Sequence, residues 1–161
     1  MEFADVLSFV QVWILLLASF GIALRIAMFK GRQGLINVMM GMYFGLFMHS
    51  FFPFTNTLIE KAGSDKSEAM MSVAIFVALS ILGTILFSRL MPREYLEGTF
   101  ESLGKKIFLA VAAMVLVMTL CLHYLPVGEI INIGNPIPEM LLTEKLAFLW
   151  LVIPLAVMFI I

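Results

Sequence analysis

The charged residues of this chain are few and bunched, and the gaps between the bunches are long. Asp5 and Arg25 enclose 19 uncharged residues, Arg32 and Glu60 enclose 27, Glu68 and Arg89 enclose 20, and Lys106 and Glu129 enclose 22. A bilayer's hydrocarbon core, about 30 Å thick, takes about 20 apolar helical residues to cross. Four such runs in 161 residues leave little chain outside lipid. The runs do not alternate as barrel strands do, and an unpaired backbone is intolerable in hydrocarbon, so they are read as helices. The expected fold is all-α: a polytopic membrane protein, one integral domain, four transmembrane helices and a C-terminal membrane-associated helix.

The spans fall at about 6–29, 35–52, 69–90 and 107–125. Proline cannot continue the helical hydrogen-bond ladder, and Pro53, Pro92 and Pro126 mark the ends of the last three. Glu2 and Asp5 stand where a signal peptide carries cations, and the first run exceeds the usual h-region, so it is read as a retained span. The uncharged run 146–161 is about 24 Å long as a helix, short for a crossing, and holds Pro154 as a break or kink. It is read as a membrane-associated helix that does not fully cross. A re-entrant segment or a short fifth span are the alternatives.

Cations set the direction. Arg25, Lys30 and Arg32 follow the first run; Arg89, Arg93, Lys105 and Lys106 follow the third. These seven of the ten Lys and Arg residues place the first and third linkers in the cytoplasm and the N-terminus outside. The sequence Lys30-Gly31-Arg32-Gln33-Gly34 reads as a tight basic turn held at anionic headgroups. In the third linker, Leu96, Phe100, Leu103 and Ile107 recur at helical spacing. They form either a short interfacial helix or an extension of the fourth span. The outer segments 55–68 and 126–145 are rich in turn-forming residues.

A net charge of −1 argues against nucleic acid as a partner, which requires a basic face. Cys121 is the single cysteine, set in an apolar run, and is read as a packing residue. Thirteen methionines and fifteen phenylalanines suit helix packing and lipid contact. No Met is paired with His or Cys at ligand spacing, so no metal site or cofactor is expected. HExxH, GxSxG, CxxC and Walker-type signatures are absent, and the chain is read as non-enzymatic.

Small and polar residues within the runs are the candidate functional features. Gly34, Gly41 and Gly45 share a face of the second span, with Gly41 and Gly45 in GxxxG spacing. Ser72, Ser80, Thr84 and Ser88 recur on the third, with Gly83 beside them. Small residues four apart let two helix backbones approach closely in lipid, so these faces are read as the tightest helix contact, or as a homo-oligomer interface. His49 and His123 lie near the outer ends of the second and fourth spans. They are read as interfacial histidines touching water or headgroups, and as a polar site only if the fold joins them to an acid. Gln11 and Asn37 are placed to bridge helices, and Arg25 to snorkel. An acid deep in a span, the mark of an ion-coupled pump, is missing from all four.

The order of these features resembles the colicin V production protein family of small bacterial inner-membrane proteins. The points of likeness are the turn Phe29-Lys30-Gly31-Arg32-Gln33-Gly34-Leu35, a glycine-bearing second span, and Ser88-Arg89-Leu90 closing the third. The linker Leu96-Glu97-Gly98-Thr99-Phe100-Glu101-Ser102-Leu103-Gly104 and the C-terminal apolar segment behind Leu141-Leu142 complete them. The resemblance implies a multi-pass accessory protein of the bacterial inner membrane, supporting toxin export or envelope homeostasis. Its partners would be membrane lipids and either further copies or other membrane proteins. The alternative is a small oligomeric channel or transporter subunit, with Gln11, Asn37 and the Ser80/Thr84/Ser88 row facing a lumen.

Overall fold

Lipid-compatible helices dominate the computed structural model, which describes residues 3–51, 53, 59, 63–91, 103–126 and 144–161. Among these residues the chain is all-helical. The helices are α1 (Phe3–Phe29), α2 (Gly31–Phe51), α3 (Asp65–Leu90), α4 (Leu103–Thr119) and α5 (Glu144–Ile160). A wider π turn, Leu120–Tyr124, continues α4 and closes with Leu125 N–H on the Leu120 carbonyl. Three helical stretches are long and apolar enough to cross a membrane: Gly31–Phe51, Asp65–Leu90 and Leu103–Tyr124. In α1 the stretch Trp13–Phe29 is apolar but shorter, as is Leu146–Ile160 in α5.

The helix ends follow from local chemistry. The Lys30 N–H bonds the Ile26 carbonyl, ending α1, and Gly31 takes a φ of 73° that turns the chain straight into α2. That left-handed conformation is cheap only for glycine. The basic turn expected over 30–34 is therefore confined to Lys30 and Gly31, and Arg32, Gln33 and Gly34 form the first turn of α2. The Ser64 hydroxyl accepts the Ser67 N–H, an N-cap that starts α3 four residues before the expected Ala69. Asp65 and Glu68 sit in that first turn, where the helix dipole favours acids. Pro154 does not break α5: the helix runs through it, and the ring is buried. The third linker from 92 to 102 and the segment 127–143 lie outside the described residues, so the interfacial-helix reading and Arg93 fall there too.

Hydrophobic burial is concentrated where α4 meets α1, α2 and α5. Leu109, Ala110, Ala113 and Leu116 of α4 are buried against Ala23 and Ala27 of α1 and Leu35 and Met39 of α2. Small alanines on α4 let the neighbouring helices come close. The outward faces stay apolar: Leu17 is 67% exposed and Phe159 86%. Water would not tolerate such a surface on a monomer, whereas lipid solvates it. Side-chain bonds fix the directions. The Asn37 amide reaches Ser88 and Gln33 reaches Met91, so α3 runs antiparallel to α2. The Tyr43 hydroxyl donates to the Leu151 carbonyl at 2.6 Å, and Arg32 donates to the Ile161 carbonyl. Helix α5 therefore lies antiparallel to α2 along most of its length, ending level with Arg32.

Candidate functional site

The polar residues that sequence places inside the spans converge on the contact between α2 and α3. At mid-depth the two backbones almost touch. A Cβ built at Gly41 would fall 2.2 Å from Thr84 Oγ1 and 2.7 Å from the Ser80 carbonyl oxygen. One at Gly45 would fall 2.2 Å from Ser80 Oγ, and one at Gly83 would fall 2.8 Å from the Phe44 ring and 3.2 Å from Gly41 Cα. Gly41, Gly45 and Gly83 thus let the helices meet, with Ser80 and Thr84 filling the remaining space. Gly34 is different. Its missing side chain would meet Lys30 Cβ at 2.4 Å, so its smallness accommodates the preceding turn of its own chain and does not serve the α2–α3 contact.

Hydrogen bonds continue this contact to both ends. Toward the end that carries Arg32, Gln33 Nε2 donates to Asn37 Oδ1 at 3.2 Å and to the Met91 sulfur at 3.1 Å. Asn37 Nδ2 in turn donates to Ser88 Oγ at 3.4 Å, and Ser88 Oγ donates back to the Thr84 carbonyl at 2.7 Å. Thr84 Oγ1 donates to the Ser80 carbonyl at 2.8 Å. At the other end His49 Nε2 lies 3.1 Å from Ser72 Oγ, with its ring edge-on to Phe76. A polar seam therefore threads the whole α2–α3 contact inside an apolar exterior. Each interhelical bond of this kind is worth roughly 0.6–2 kcal/mol in lipid. Ser80 is the exception: its hydroxyl is buried and has no hydrogen-bond partner.

His49 is thus half-buried between two helices. His123 sits elsewhere, in the π turn, lining a groove of about 210 Å³ between α1, α4 and α5 with Leu16, Met118 and Trp150. The two histidines serve different contacts, and among the described residues no group of three His, Cys, Asp or Glu side chains could hold a metal ion. The Gln11 side chain lies outside the described residues.

The cation-rich end of the seam opens into a pocket of about 450 Å³. Lys30, Gln33, Asn37 and Ser88 supply its polar wall, and Phe29, Gly34 and Met91 complete it. Sequence singled out Lys30, Gly34, Asn37 and Ser88 for separate reasons; Gln33 and Met91 were missed. Their contact joins residues 58 positions apart, which only the α2–α3 register discloses. Arg32 begins the same turn of α2, Arg89 lies in the last turn of α3, and the Arg25 guanidinium sits 5.6 Å over the Phe29 ring. Lys105 and Lys106 lie in the first turn of α4. Among the described residues, Asp65, Glu68 and Glu144 all lie at the opposite helix ends. No protein-family model, curated protein or solved structure matches this chain.

Proposed function

We propose that the protein is a non-enzymatic, multi-pass accessory protein of the bacterial inner membrane, one that supports toxin export or envelope homeostasis as the colicin V production resemblance implies. In this reading α1 to α4 are four spans, the N-terminus is outside, and the cation-rich end faces the cytoplasm. Helix α5, antiparallel to α2 from Tyr43 to Arg32, returns the chain to that end.

One observation carries the proposal. Apart from the Ser80 hydroxyl, the polar groups between α2 and α3 are taken up at their contact: Asn37 bonds Ser88 and His49 lies beside Ser72 across it, while Gln33 bonds Asn37 within α2 and Thr84 bonds the Ser80 carbonyl within α3. A conduit needs polar groups aimed at a lumen. Here the Ser80/Thr84/Ser88 row faces Gly41, Gly45 and Asn37, which supports a rigid scaffold over a channel subunit. The test is reconstitution in liposomes, with solute and ion flux and oligomeric state measured in the same lipid. Flux equal to that of empty liposomes is expected. Flux above that level, carried by an oligomer, would replace this reading with the channel-subunit one.

A further inference from the structure

We infer that this chain holds one anionic phospholipid of the leaflet at its cation-rich end, headgroup in the α2–α3 pocket and an acyl chain in the groove beside it. Two recesses share Lys30 as a wall. The first is the polar pocket already described. The second is an apolar groove of about 540 Å³ between α2, α3 and α4, lined among others by Val38, Met42, Ile81, Ile85 and Leu120. A polar chamber that adjoins a long apolar trough at Lys30 matches a molecule with a polar head and a hydrocarbon tail, not a free ion or a soluble metabolite.

Dimensions and charge narrow the class. On α3 the groove extends from Ile85 to Val73, twelve residues or about 18 Å of helix. One leaflet of a bilayer core is half of about 30 Å. An acyl chain lying along the groove therefore fits a lipid anchored at the Lys30 end. Among the described residues no carboxylate lines either recess, and the cationic residue Lys30 lines both. Asn37 gives one amide hydrogen to Ser88 and keeps a second, and Gln33 keeps its carbonyl oxygen. Together they offer a phosphate one cation and one neutral donor, and a headgroup hydroxyl one acceptor. A zwitterionic headgroup would bring its own cation toward Lys30 and gain less. This inference is independent of the accessory-protein reading, since a channel subunit could hold the same lipid.

The full chain in nanodiscs of phosphatidylcholine and phosphatidylglycerol, released into a native mass spectrometer, tests it. Wild-type protein is expected to retain phosphatidylglycerol in preference to phosphatidylcholine. Lys30→Gln lowers that preference about fivefold, the factor one basic residue is worth at an anionic surface. Lys105→Gln removes a charge at the same end, outside the pocket, and leaves the preference in place. Ile85→Trp, on a half-exposed position, fills the groove and reduces retention of both lipids. Free glycerol phosphate, which has the head without the tail, does not displace the lipid. Absence of any preference in the wild type would overturn the inference. So would an equal loss in Lys105→Gln, which means diffuse attraction, or full retention in Ile85→Trp. Displacement by glycerol phosphate would reassign the pocket to a free phosphate. If Lys30→Gln does not fold, the wild-type preference and the Ile85→Trp result still decide.

Discussion

The α2–α3 contact makes opposite predictions for two glycines only four residues apart. Alanine in a helix interior is favoured over glycine by about 0.8–1 kcal/mol, so Gly→Ala stabilises wherever there is room. Gly21 has nothing within 4 Å of its missing side chain, and Gly21→Ala should show that gain unopposed. At Gly45 the new Cβ lies 2.2 Å from Ser80 Oγ, but the next atoms, Ser80 N and Cα, are 3.0 and 3.1 Å away. Overpacking of this kind costs about 1–3 kcal/mol. Removing the Ser80 hydroxyl leaves only contacts that shift by tenths of an ångström can absorb. Ser80→Ala should therefore rescue Gly45→Ala, with a coupling of about 1–2 kcal/mol in a double-mutant cycle. Gly41 behaves otherwise. Its Cβ meets Thr84 Oγ1 at 2.2 Å, yet the Ser80 carbonyl oxygen and Thr84 N wait at 2.7 Å. Those are backbone atoms, and Thr84→Ala leaves them in place, so that cycle should couple by less than about 0.5 kcal/mol. Unfolding in mixed micelles with rising dodecyl sulfate, followed by circular dichroism, reads all of these. Equal stability of Gly45→Ala and Gly21→Ala, or equal coupling in the two cycles, would refute the backbone-approach argument.

Other consequences can be checked in the same format. Ser80→Ala alone removes a buried hydroxyl without a partner, and should be neutral or stabilising by up to about 1 kcal/mol in the same titration. Asn37→Ala breaks the relay from Gln33 to Ser88 and should destabilise by about 1–2 kcal/mol, with Ser88→Ala adding little on top because both report one bond. Tyr43→Phe deletes the bond to the Leu151 carbonyl, in the turn whose ladder Pro154 interrupts; amide exchange in α5 should quicken severalfold while that of α3 stays unchanged. In a Cys121→Ala background, cysteine at Ser64 should react with an impermeant thiol reagent on intact cells. Cysteine at Lys105 should react only after lysis, and the reverse pattern would invert the topology.

What the sequence disclosed was set by short-range physics. Charge spacing fixed the runs because ionised side chains are costly in lipid wherever they sit. That cost does not depend on which helix packs against which. Gly41, Gly45, Ser80 and Thr84 were legible for a related reason: small residues four apart mark a close backbone approach whatever the partner. Gly34, one heptad before Gly41, falls on the same face, yet it opposes Lys30 in its own chain. Periodicity names a face and does not say what occupies the space before it. Gln33–Met91 and His49–Ser72 depend on the relative register of two helices, which no local pattern in either helix encodes. Of the break or kink expected at Pro154, the break does not occur, because a proline ends helices most readily in water, where a freed carbonyl finds solvent. In a bilayer the chain stays helical and neighbouring groups take up the slack.

The seam and the cation-rich end also bear on each other. Helices in lipid gain no hydrophobic energy by associating, since lipid tails are as apolar as leucine. Close packing at Gly41, Gly45 and Gly83, together with the hydrogen bonds on either side, must hold α2 to α3. The packing centre lies midway along the two helices, where the glycines leave backbone bare. Toward the cation-rich end no glycine takes part in the contact, and the amide side chains of Gln33 and Asn37 carry it beside the pocket. A pocket at that end is what remains when small residues draw two helices together at their middle and longer polar ones carry the contact beyond it. Substitutions that tighten or loosen the Gly45–Ser80 contact should therefore change the pocket as well as the stability of the pair. Lipid retention and micelle stability measured on the same Gly45 variants should move together.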